Sequence, residues 1–239
     1  MRWQDHLRVV LVEARNSLNI GAAARAMLNF GFSRLWLVKP YDMAFRAARS
    51  AVGAAKVLEQ ARVTQDLAAA LGGASLVVGT SGVEARSEHH VQRSLPDGSH
   101  FIRTHLKSRE AALVFGSEKH GLANEAFSHC DWVVSIPTDE NCPSMNLGQA
   151  VAVCCYELAR HAKPIPALQT PASATVEQRD RIVETLLPIL AQSGFLKPGA
   201  RRSQTEKTRR LINRMRLAPA DARMVQAIIR QVQWKLDHP

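Results

Sequence analysis

Three short clusters in this chain combine residue types that could bind a ligand or act on one. The first is Asn16-Ser-Leu-Asn19-Ile-Gly21-Ala-Ala-Ala-Arg25. An asparagine such as Asn19 can cap a helix, Gly21 lets a second backbone or a ligand approach closely, and Arg25 offers a permanent cation six residues on. The second is Phe115-Gly116-Ser117-Glu118-Lys119-His120-Gly121-Leu122, two glycines bracketing a carboxylate. The third runs from Ile136 through Pro143-Ser144-Met145-Asn146-Leu147-Gly148-Gln149. There a proline-bounded loop delivers a hydroxyl and an amide to a helix start, and Asn146 with Gln149 has the spacing of a capping box. Taken singly, each cluster reads equally well as ordinary turn and cap chemistry.

Several chemistries are excluded by what is missing. Gly116 and Gly121 follow an apolar run as in a phosphate loop, but Leu122-Ala123 stand where Lys-Ser/Thr is needed, and no G-x-G-x-x-G occurs. The cysteines, Cys130, Cys142, Cys154 and Cys155, contain no C-x-x-C pair, so small buried thiols are expected rather than a metal site or disulfides. His89-His90 lacks metal-ligand spacing, and no metal is expected.

The elements that must hold these clusters are legible from hydrophobic patterning. Continuous β-branched runs at Val9–Val12, Leu35–Val38, Leu76–Val78, Ala112–Phe115 and Trp132–Ile136 suit parallel strands buried on both faces. Helical patterns intervene: Ile20–Leu28 stopped by Gly31, Leu67–Leu71 stopped by Gly72-Gly73, and an apolar helix after Asn146. Alternating strands and helices predict an α/β domain with a parallel sheet. Each chemical cluster then lies where a strand gives way to a helix, and the polar stretch Glu84–Arg109 is expected to form a loop and a short helix.

Charge divides the chain. Residues 1–162 carry 17 Lys/Arg against 15 Asp/Glu, whereas residues 163–239 carry 14 against 6. Between the parts lies Lys163–Pro171, with three prolines in nine residues, which predicts a stiff linker. The expected organisation is a domain at 1–162, a linker at 163–175 and a basic helical extension at 176–239, with helices at 176–192, 205–216 and 220–236. Such a tail suits a polyanion or a solvated surface. No apolar run approaches the roughly 20 residues of a membrane span, so a cytoplasmic protein with no membrane contact is expected.

Taken in order, the N-x-G-x-x-x-R, G-S-E-x-x-G-L and S-M-N-L segments resemble the three motifs of the TrmH branch of the SPOUT superfamily. The tail, with Gln192-Ser-Gly194-Phe195-Leu196 and Arg209-Arg-Leu-Ile-Asn-Arg-Met-Arg216, resembles the extension of TrmJ-type enzymes. The resemblance implies a SPOUT fold whose sheet ends in a deep trefoil knot, an exception to the rule against knots. It also implies a homodimer with the active site at the interface. S-adenosylmethionine is the implied cofactor, lying against Thr80, Ser81, Gly82, Gly116, Ile136, Ser144, Met145 and Asn146. The implied reaction is 2′-O-methylation of the pyrimidine ribose at position 32 of the tRNA anticodon loop. Arg25, Ser144 and Asn19 would be catalytic, and Gly21, Glu118 and Gly121 would shape the motifs. Arg201, Arg202, Lys207, Arg209, Arg210, Arg214 and Arg216 would grip tRNA phosphates. Residues 163–239 are then expected to be dispensable for cofactor binding.

Two positions depart from the family pattern: Met145 replaces the usual leucine, and the sequence after Ser81 is longer and less basic. Two alternatives stay open: a 2′-O-methyltransferase of the same branch acting on rRNA or another tRNA position, and a non-catalytic RNA-binding protein with this fold.

Overall fold

The computed structural model describes residues 2–41, 43–82, 91–160, 173–196 and 201–238. Its strands are β1 (Leu7–Val12), β2 (Arg34–Val38), β3 (Arg62–Thr64), β4 (Leu76–Ser81), β5 (Gln92–Ser94), β6 (Ala111–Phe115) and β7 (Trp132–Ser135). They form one sheet in the order β3-β2-β1-β6-β4-β7-β5, and every pairing is parallel. The five apolar runs became the five inner strands. Both edge strands escaped the pattern because an edge pairs on one side only and meets solvent, so Arg62-Val-Thr64 and Gln92-Arg-Ser94 need no apolar run.

Around the sheet lie α1 (Ser17–Asn29), α2 (Ala55–Glu59), α3 (Leu67–Leu71), α4 (Leu95–Leu106), α5 (Asn124–Ser128) and α6 (Leu147–Ala159). One core cluster joins α1, α2, α4 and α6 to one face through Val9, Leu11, Ile20, Met27, Leu113, Val151 and Leu158. The other face carries α3 and α5 over Val10, Val77, Val114 and Val133. Each fully buried Val, Leu or Ile contributes about 1.5–3 kcal/mol. Helix α1 begins three residues earlier than the apolar pattern, because Asn16, not Asn19, caps it by accepting from Leu18 N at 2.9 Å. Residues 83–90, with the His89-His90 pair and most of the expected loop, lie outside the described residues. The helix expected there is α4, longer than predicted and opened by Ser94 with Pro96 in its first turn.

Cys130, Cys154 and Cys155 are buried as expected; Cys142 is exposed, since it sits in the loop before α6 rather than in an element. Burial pushes the Cys154 thiol up to about 12, which keeps it inert near neutrality.

The tail folds as α7 (Val176–Gln192), α8 (Arg201–Arg214) and α9 (Pro219–Asp237) around Ala174, Ile182, Val183, Ile212 and Ala222. The second tail helix starts four residues before the predicted Thr205. The tail does not hang free of the sheet domain. Val176 belongs to the core under α3, and its N–H donates to Ala74 O at 3.1 Å. Arg179 pairs with Asp131, and Asn213 Nδ2 donates to Ser128 O at 3.0 Å. Removing 163–239 would therefore strip one face of the sheet domain of packed side chains. The described tail is thus packed on the sheet domain as well as on itself.

A histidine at this junction gives a pH signature. Burial, then the nearby Arg209 cation, holds the buried His129 down to about 4, against the pull of Asp180. The neutral imidazole is the folded form, whereas an unfolded histidine titrates near 6.5. Stability is therefore whole above about pH 6.5 and is lost as pH falls toward 4. Thermal melts of the wild type should drop over that window, and His129→Gln should remove part of the drop; parallel pH profiles for the two proteins would show that His129 is not the cause.

Candidate active site at the strand ends

The three chemical clusters converge beyond the C-terminal ends of β4, β6 and β7, where parallel α/β sheets keep their ligands. A cavity of about 610 Å³ opens there, within the roughly 300–1,000 Å³ usual for small-molecule sites. Of the residues expected to hold the cofactor, Thr80, Ser81, Gly82, Gly116, Ile136, Ser144 and Met145 all line it. Asn146 does not line it but stands between two residues that do, Met145 and Leu147, as the N-cap of α6.

A chain of hydrogen bonds ties the clusters together. Asn146 Nδ2 donates to Asn19 Oδ1 at 2.9 Å, and Asn19 Nδ2 donates to Glu118 Oε1 at 2.8 Å. At its far end, Asn146 Oδ1 accepts from the N–H groups of Gly148 and Gln149. Glu118 also accepts from the backbone N–H of Arg15 at 3.0 Å and of Asn16 at 3.2 Å. The orientations are mutually dependent, since flipping either amide would set donor against donor. Burial pushes the Glu118 carboxyl up, but the Asn19 amide and these backbone donors outweigh it and hold it below the usual carboxylate range. Glu118 is thus an anion whose lone pairs are engaged in holding loops, which suits scaffolding and not proton transfer.

Glycines set the loop shapes. A Cβ on Gly116 would lie 1.9 Å from the Gly121 carbonyl carbon and 2.1 Å from Leu122 N. The backbone doubles back there, with Gly121 N donating to Ser117 O at 2.8 Å and Gly121 at φ 65°. Gly21 serves a different approach: a Cβ there would meet Ala51 N at 3.1 Å, so its partner is the segment before α2.

Arg25 is exposed on α1 and is not among the residues lining the cavity of its own chain. The tail arginines are unequally free. Arg209 bonds Asp180 at 3.2 Å, Arg210 bonds Glu206 at 3.4 Å, and Arg202 bonds Glu125 at 2.9 Å while its side chain stays 80% exposed. Lys207, Arg214 and Arg216 are exposed, and the Arg201 side chain lies outside the described residues. Thr138 also lines the cavity, signalled in the sequence only by its place between Ile136 and Ser144, as do Lys119 and His120, which the second cluster contained without a role. Among the described residues no group of acidic, His or Cys side chains could hold a metal ion, and no helix is long and apolar enough to cross a membrane.

The model for the SpoU rRNA methylase family matches residues 6–156, the whole domain that builds this cavity. The chain belongs to the SpoU methylase family. Its full-length relatives include a Pectobacterium atrosepticum tRNA (cytidine/uridine-2′-O-)-methyltransferase, TrmJ, 34% identical over 96% of this chain and 97% of that protein. A Pseudomonas aeruginosa tRNA (cytidine/uridine/adenosine-2′-O-)-methyltransferase, also TrmJ, is 35% identical over 96% of this chain and 94% of its own length. Among solved structures, TrmJ from Z. mobilis superposes with a TM-score of 0.84 at 26% identity, covering 95% of this chain and 98% of that one. Similarity to TrmJ proteins thus extends through the SpoU methylase domain and the helical tail alike, and the member described here is a methyltransferase.

Proposed function

We propose that this chain transfers a methyl group from S-adenosylmethionine to a ribose 2′-hydroxyl of tRNA, at the pyrimidine of position 32. The observation that carries the reaction is the Asn146–Asn19–Glu118 chain, which locks the three family clusters around a single ligand-sized cavity. The full-length similarity to tRNA 2′-O-methyltransferases supports tRNA as substrate, and position 32 rests on the resemblance of the tail.

The lining suits the cofactor chemically. Phe115, Leu122, Phe127, Ile136 and Met145 offer an apolar wall for an adenine, while Thr80, Ser81 and Ser144 with the loop backbone offer hydrogen-bond partners for its polar groups. When bound, S-adenosylmethionine supplies an electrophilic methyl on a sulfonium sulfur. The protein's part is to align the ribose oxygen with that methyl and to manage one proton. Arg25 stays protonated at neutral pH and is a poor base; it fixes the flanking phosphate or polarises the hydroxyl, and Ser144 orients that hydroxyl.

Arg25 lies outside the cavity of its own chain, which fits a site completed across a homodimer. Leu18, Leu28 and Tyr156, exposed on the packed helices α1 and α6, supply apolar surface for that contact. The same proposal includes the trefoil knot, the 1–162, 163–175 and 176–239 organisation, and a cytoplasmic location. Lys207, Arg202, Arg214 and Arg216 would grip tRNA phosphates.

Methylation of unmodified tRNA by the purified protein, followed by nucleoside mass spectrometry and site mapping, tests the reaction. A 2′-O-methyl pyrimidine at position 32 supports it, and no methyl incorporation would refute it. Lys207→Gln with Arg214→Gln should weaken tRNA binding and flatten its dependence on log salt by roughly 0.9 per lost phosphate contact. An unchanged slope removes those two side chains from the interface.

A further inference from the structure

A second cavity, of about 110 Å³, lies where the tail meets the N-terminal ends of β4 and β7. Strand β4 runs from this cavity at Leu76 to the active-site cavity at Ser81, so the two are separated by about 17 Å of strand.

Its character is set by Arg179, whose side chain is only 5% exposed. Nη1 of Arg179 donates to Asp131 Oδ1, yet its Nε and Nη2 are buried with no hydrogen-bond partner. Asp131 cannot serve them all, because its Oδ2 already accepts from Val77 N at 2.7 Å. Buried guanidinium donors left unmatched are costly, and they leave Arg179 a cation only partly neutralised by Asp131 beside the cavity.

Two further guanidinium groups line the same cavity. Arg93 stacks over Phe101, 4.3 Å from the ring centroid, and the exposed Arg216 holds its backbone in the left-handed region at φ 46°. Neither has a carboxylate partner among the described residues. Three arginines thus line a cavity whose one lining carboxylate, Asp131, is already engaged, an excess of two positive charges. Ser75 adds a hydroxyl to the wall. A guanidinium fork matches a tetrahedral oxyanion, and the volume far exceeds the roughly 10–15 Å³ that one water needs.

We propose that this cavity is a phosphate-binding site, built between the sheet domain and the tail and separate from the methyl-transfer site. The ligand is a phosphate group, presented either by an RNA backbone or as a free ion. The site itself does not depend on the proposed methylation.

The test uses the full chain and inorganic phosphate. Thermal melts in phosphate and in chloride at matched ionic strength should show a phosphate-specific rise that saturates. Arg93→Gln and Arg216→Gln should each weaken the apparent phosphate affinity at least roughly fivefold. Arg93→Gln should leave S-adenosylmethionine affinity unchanged, since Arg93 does not line the other cavity. Both variants alter partly exposed side chains without removing the Arg179–Asp131 pair, so they should fold. Equal melting shifts in the two salts, or undiminished phosphate affinity in both variants, would overturn the proposal. A second arm identifies the source. If saturating tRNA displaces phosphate, an RNA phosphate occupies the site in the complex; if phosphate still stabilises the tRNA-bound protein, the ligand is the free ion.

Discussion

Arg25→Ala should lower kcat/KM for tRNA methylation by roughly 10²–10³-fold, the effect of removing one charged group that acts on the transition state. The affinity for S-adenosylmethionine should change little, because the roles proposed for Arg25 act on an RNA phosphate or the ribose hydroxyl and not on the cofactor. The side chain is exposed on α1, so the variant should fold and melt like the wild type. Arg25→Lys separates the possible roles. A lysine keeps the charge but not the planar fork, so weak rescue points to bidentate contact with a phosphate. Single-turnover rates with radiolabelled cofactor, together with cofactor titration by calorimetry, give both quantities. Near-normal turnover in Arg25→Ala would remove Arg25 from the chemistry.

Gly116→Ala should act on binding instead. The added methyl would sit 1.9 Å from the Gly121 carbonyl carbon and 2.1 Å from Leu122 N, and both are backbone atoms that no rotamer change can move aside. The Ser117–Gly121 turn must open, carrying Glu118 away from Asn19 and the amides of Arg15 and Asn16. Cofactor affinity should fall by roughly 100-fold, about 3 kcal/mol, with the circular dichroism of the sheet and helices intact. Unchanged affinity would mean that this turn does not shape the cofactor cavity.

Sequence and structure agree where burial imposes a pattern. Val9–Val12 and Ala112–Phe115 are covered on both faces, so their apolar runs announced inner strands. Arg62–Thr64 and Gln92–Ser94 are edges, and nothing local distinguishes them from loops. The active-site clusters were legible as residue types at strand ends. What joins them was not: Asn19 was expected to cap a helix, but its amide spans two loops while Asn16 does the capping. Spacing along the chain cannot reveal partners 99 and 127 residues away. The docking of the tail was hidden for the same reason, because Arg179 and Asn213 find their partners, Asp131 and Ser128, 48 and 85 residues away.

That long reach has a consequence for how the protein comes into being. Asn19 leaves the ribosome early, but its second partner, Asn146, is made 127 residues later. At about 5–20 residues per second, roughly 6–25 s of synthesis separate the two. A nascent or prematurely terminated chain can therefore pair β1 with β2 while its ligand site is still open. The hydrogen-bond chain that ties the three clusters together cannot be completed until Asn146 has been made.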